Sequence, residues 1–141
     1  SVTLYHTTHT NFNTKIINIS GKTKEYFMLE NIGHDGYQAG LDYLIGGNDN
    51  TSGIAIWHID ENQSGNSDYT HKLVDLEEAA DAGLDLGAHN GKQTSLFFSG
   101  NKTEFSNSTN PNSKTYSGTS SGITINNISA AGDSMTFDVS F

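Results

Sequence analysis

The sequence predicts an all-β chain, an antiparallel β-sandwich or open barrel with long polar loops, and three observations predict it. Apolar residues come in short runs, alternating with a period of two where the runs are clearest. Asn, Ser, Thr and Gly fill the gaps between them, a composition of turns and not of helical bundles. The hydrophobic fraction is 33% over 141 residues, enough for one domain with a real core. Six or seven strands closing on a C-terminal hairpin fit that class.

The elements follow in order. A Thr- and His-rich opening, residues 1–13, holds one short strand at Val2 to His6. "KIINI" (15–19) places Ile17 and Ile19 on one face and Ile16 on the other. A turn at Gly21 and Lys22 joins it to "EYFMLEN" (25–31), so the pair reads as a hairpin. A Gly- and Asp-rich loop, 33–53, then leads to "GIAIWHIDEN" (53–62). There Ile54, Ile56, His58 and Asp60 share one side, and Ala55, Trp57, Ile59 and Glu61 the other. Both sides are apolar for most of the run, which predicts a strand covered on both faces, with Trp57 buried. The acids Asp60 and Glu61 emerge at its end.

"KLVDLEEAADAGLD" (72–85) starts like a strand and ends like a helical turn. Residues 87–121 lack periodicity, and so long a loop needs something to order it, a bound ion or a covering neighbour. "GITINNIS" and "SMTFDVSF" alternate cleanly around a turn at 130–133. They point Ile123, Ile125, Met135, Phe137, Val139 and Phe141 inward.

Charge and composition exclude several function classes. Sixteen acids against seven bases give a net charge of -9, which repels nucleic acid and anionic membranes. Without cysteine there are neither disulfides nor thiolate zinc sites. There is no signal peptide and no membrane-length apolar run. The chain starts without Met and reads as a single β-rich module, 1–141, excised from a longer protein.

No catalytic residues are assigned. His-Glu-x-x-His is absent; "HTTH", His6 and His9, has helical spacing but sits in a Thr-rich arm. A Gly-x-Ser-x-Gly elbow and the phosphate-binding loops are missing too. Paired carboxylates could flank a glycosidic bond, but the aromatic platforms of a sugar site are not evident. Asp60 and Glu61 in "HIDEN" and Asp75, Glu77 and Glu78 in "VDLEEA" form two acidic segments. Oxygen ligands from adjacent loops suit structural calcium, and a solvated acidic face is the other reading. Asp81, Asp85 and Asp49 add further acids, without an EF-hand pattern. His58 and Glu30 read as structural polar residues, His58 as a core histidine bonded to a carbonyl or carboxylate.

The blocks "EYFMLEN…GYQAGL…GIAIWHIDEN…KLVDLEEA" and "NSTNPNSKTYSGTSSGITINNIS…MTFDVS" resemble the M6-type, immune-inhibitor-A-like, secreted bacterial metalloproteases. They resemble the stretch C-terminal to the zinc-binding helix. The resemblance covers nearly the whole chain from Glu25, with several blocks in matching order and spacing. It implies an extracellular bacterial protein whose zinc belongs to an upstream protease domain of the same polypeptide, commonly with calcium as well. No zinc ligand carries over. Glu30 in "LEN", His58 and Asp60 in "WHID", and Asp75, Glu77 and Glu78 in "DLEEA" carry over as framework. The expected function is therefore a non-catalytic β module supporting the protease core. The alternative is a free-standing surface module that binds carbohydrate or a protein partner.

Overall fold

A computed structural model describes residues 1–6, 13–33, 52–80, 83–85, 87 and 91–141. His9, Asp49, Asp81 and the "GYQAGL" block lie outside the described residues. The described residues form seven strands: β1 (Val2–Tyr5), β2 (Thr14–Asn18), β3 (Glu25–Ile32), β4 (Gly53–Asp60), β5 (Val74–Leu76), β6 (Thr124–Asn126) and β7 (Ser134–Ser140). They make two antiparallel sheets, ordered β1-β7-β6 and β2-β3-β4-β5. The sheets pack as a sandwich, not a closed barrel. Leu4, Ile125, Met135 and Phe137 from one sheet meet Ile17, Phe27, Leu29, Ile54 and Ile56 from the other in one core. The expected hairpins, β2 with β3 and β6 with β7, are both present.

Strand parity explains the core. In β3, Phe27 and Leu29 face inward opposite His58 and Ile56 of β4, so one layer alternates apolar side chains with no gap. The layer changes character at one end, where Glu25 pairs with Asp60 and His58 stands beside Phe27. The outer face of the same sheet carries a smaller cluster, Ile32, Ala55 and Leu96 with Trp57, Leu76 and Phe98 packed against it. Trp57 is therefore half-buried on this outer face, short of the full burial expected, and its Nε1 donates to Glu30 Oε2 at 3.2 Å. Phe141 departs further. It lies beyond the last β6–β7 pair, at Ser140, and is 84% exposed instead of pointing inward.

The long loop after residue 91 is ordered by the sandwich itself. Phe97 bridges to Ile54 and Phe105 to Ile125, so the loop carries two fully buried rings into the core from both sheets. Those rings meet edge-to-face, at 5.9 Å between centroids. A single 3-10 turn, Gln93–Ser95, is the loop's one helical piece among the described residues. Residues 77–80 after β5 form no helical turn: Glu77 N–H donates to Ile56, and Ala79 and Ala80 donate to Ser95 and Thr94; 83–85 form a turn, and 81–82 lie outside the described residues. Asn31, fully buried at the end of β3, donates from Nδ2 to the carbonyls of Leu4, Gly132 and Asp133, tying the two sheets together.

Candidate functional site

At the polar end of the inner layer four distant segments meet. His58 is 3% exposed, and its two ring nitrogens face two carboxylates. Nε2 lies 3.1 Å from Glu25 Oε1, and Nδ1 lies 3.2 Å from Glu77 Oε1. Glu25 reaches it because it starts β3 with the parity of Phe27; Glu77 reaches it because β5 runs alongside β4. Imidazole offers two N–H donors only as imidazolium, so a neutral His58 requires that one facing acid carry a proton. Burial pushes the Glu77 carboxyl above its ordinary range; the His58 hydrogen bond pulls it down, and the charges of Asp75 and Asp85 add to the rise.

Tyr116, from the long loop, closes the site. Its ring stacks on His58 at 4.2 Å with an interplanar angle of 13°, and on its other side sits His71 at 4.1 Å. The Tyr116 backbone N–H donates to Glu25 Oε1 at 2.7 Å, a contact spanning 91 residues. Its hydroxyl oxygen is buried and makes no hydrogen bond. Burial, then the charges of Asp75 and Glu77, push that phenol well above its ordinary range; the nearby Lys72 backbone N–H offsets this only in part. His71 Nε2 meets Asp60 Oδ2 at 2.7 Å, and Asp60 Oδ1 accepts from Asn62 N–H and Nδ2 at 3.0 and 2.7 Å. Burial works against the Asp60 carboxylate, yet these bonds prevail and hold it below the usual range.

The expected ligand acids are dispersed among protein partners. Asp60 serves His71 and Asn62, and Glu61 accepts from the Tyr26 hydroxyl at 2.9 Å. Glu78 Oε1 accepts the Leu84 N–H at 2.8 Å, and Glu77 belongs to His58. Lys72 Nζ contacts both Asp75, at 2.6 Å, and Asp85. Burial disfavours the ammonium, but the two carboxylates outweigh it and raise the Lys72 pKa; burial likewise holds Asp75 above its usual range despite Lys72. The ammonium therefore stands where a cation bridging Asp75 and Asp85 would stand. Among the described residues no three or more acidic or histidine side chains are grouped to hold a metal. A cleft of about 330 Å³ runs beside these acids, lined by Asp75, Glu77, Glu78, Asp85, Lys102 and Pro111.

The sequence reading singled out His58, Asp60, Glu77 and Glu30, and the structure gives each a polar partner. The partners of His58 are Glu25 and Glu77, while Asp60 pairs with His71. Glu25, His71 and Tyr116 were missed. Glu25 could have been found, since it shares the inward parity of Phe27 and Leu29. Tyr116 sits in a loop with no periodicity, and nothing local marks it.

Comparison with known protein families, with characterised proteins and with solved structures finds no match for this chain. The M6-type resemblance stands on the sequence blocks alone.

Proposed function

We propose that the chain is a non-catalytic β module of an M6-like secreted metalloprotease, serving to brace the protease core. One observation carries the reading. The blocks that bear the resemblance are the blocks that converge: Glu25 from "EYFMLEN", His58 from "WHID", Glu77 from "DLEEA" and Tyr116 from "SKTYSG" form one buried network. Residues matched in order along a family are then matched because they hold a shape. Apart from the Tyr116 hydroxyl, their polar atoms bond one another, as a buried bracing network needs.

The purified chain supplied with zinc should leave casein intact, and its full-length reading frame should encode His-Glu-x-x-His upstream. Zinc-dependent cleavage that stops on adding chelator would overturn the non-catalytic part. A reading frame built of repeated β modules without that motif would overturn the protease part.

A further inference from the structure

Strand β2 forms one outer edge of the four-stranded sheet. The Asn31 N–H donates to the Asn13 carbonyl, which fixes the ladder: Lys15 and Ile17 spend their N–H and C=O groups on β3. Thr14, Ile16 and Asn18 therefore turn theirs outward. Among the described residues nothing bonds to these outward groups, and Ile16 is 53% exposed. Such an edge is a template for another strand. Beside it lies a groove of about 350 Å³ between the two sheets, lined by Val2, Lys15, Ile16, Ile17, Val139 and Phe141. The exposed Phe141 and Ile16 are thus on one surface.

Charge selects the occupant. Seven lysines supply all the positive side chains of this acidic protein other than histidine, and Lys15, Lys22 and Lys24 lie on β2 and the turn after it. Of these, Lys22 already pairs with Glu25 at 3.6 Å, which leaves Lys15 and Lys24 as the cations free of acids on β3; Glu30 is held by Trp57 Nε1. At physiological ionic strength charges beyond about 8 Å are screened, so a docking chain meets the lysines and not the net charge of the molecule. A second copy would bring lysines against lysines. We infer that the β2 edge binds an extended segment of a partner protein, apolar in its middle and acidic at both ends, by strand addition. The apolar residues cover Ile16 and the groove, and the acidic ends reach Lys15 on one side and Lys24 on the other. This inference is independent of the proposed role as a protease module.

The test uses the whole chain and the peptide acetyl-Glu-Glu-Val-Val-Val-Glu-Glu-amide, followed by amide NMR and hydrogen exchange. Shifts and slowed exchange should appear at Thr14, Ile16 and Asn18. Ile16→Pro removes an outward N–H and leaves the β3 ladder bonds in place, so it should weaken binding at least tenfold. Lys15→Glu, a surface change that leaves the fold intact, should weaken it severalfold, and a Lys-flanked Val peptide should bind less well. The idea fails if the peptide does not bind, if shifts map elsewhere, or if Lys15→Glu binds as tightly as wild type. It also fails if β2 is already protected without peptide in a concentration-dependent dimer, which would make a second copy the occupant.

Discussion

The two outer edges of the four-stranded sheet are treated in opposite ways. At β5 the outward groups of Val74 are taken by one side chain: its N–H donates to Asn66 Oδ1 at 3.0 Å and its C=O accepts from Asn66 Nδ2 at 2.9 Å. Asn66 imitates the backbone of a fifth strand, and the 62–73 loop that carries it also brings His71 onto Tyr116. At β2 the outward groups of Thr14, Ile16 and Asn18 meet no such partner among the described residues. Unpaired edges invite association, and proteins normally cover or blunt them. One edge of this sheet is closed by the same loop that completes the polar network; the other, among the described residues, is open, apolar and flanked by lysine. Stability should therefore concentrate at the β5 side, and the β2 side should be nearly free of it.

The largest expected effect is His58→Leu. It leaves Glu25 and Glu77 buried and facing each other without the ring between them. Breaking a buried charged pair by removing one partner costs about 3–5 kcal/mol, to be read from urea unfolding. A loss near 1 kcal/mol would mean the network is dispensable and the β5 side is not the anchor. Glu77 gives this a pH signature. Its carboxyl is raised in the fold, mainly by burial, above the unfolded value of about 4.3. Its contribution to stability is complete below the unfolded value and is lost as pH rises through the folded one. Unfolding series from acid to neutral pH should show that decline in wild type, and Glu77→Gln should flatten it. Asp60, held low, contributes in the opposite sense and is lost as pH falls, so Asp60→Asn should tilt the curve opposite to Glu77→Gln.

Next is Asn66→Ala, which strips the cap from β5. Two hydrogen bonds go, each worth roughly 0.5–1.5 kcal/mol net, so a loss of about 1–2 kcal/mol is expected. The variant should also aggregate faster, because a second edge is now bare. An unchanged aggregation rate would show that the loop, and not the Asn66 amide, covers β5.

How much of this was legible in the sequence depends on how local each signal is. The inward parity of Ile54, Ile56, His58 and Asp60 was readable because strand alternation is a local rule, and all four are buried. Trp57 was overestimated because parity says which face a residue takes, not how completely that face is covered. Phe141 obeyed the alternation of β7 but outran its partner strand, and length of pairing is not written in a single run. Tyr116 and His71 were invisible, since a stack between residues 45 positions apart in polar loops has no periodicity to betray it. The bare β2 edge was equally hidden: which strand ends a sheet is a property of strand order.

Tyr116→Phe sharpens the comparison from the other direction. The buried hydroxyl makes no well-aligned hydrogen bond, only an approach from the Lys72 backbone N–H, and leaving such a group unpaired costs about 1–3 kcal/mol. Removing it keeps the stack on His58 and His71, so this variant should gain about 1 kcal/mol. A loss would reveal that a water bonds the oxygen in solution, making the hydroxyl part of the network.

The smallest effect is expected at the open edge. Ile16→Thr exchanges one β-branched side chain for another, so strand preference is nearly conserved. The residue is 53% exposed on an outer strand, and its outward N–H and C=O contribute nothing to the ladder with β3. A surface change away from caps, pairs and core normally stays within about 0.5 kcal/mol. Urea unfolding of Ile16→Thr should therefore overlay wild type, while solubility improves as apolar surface is lost. If the variant instead loses more than about 1.5 kcal/mol, more than a surface site normally yields, Ile16 is covered in solution. The two edges would then be alike, and the contrast between a closed and an open side would be gone.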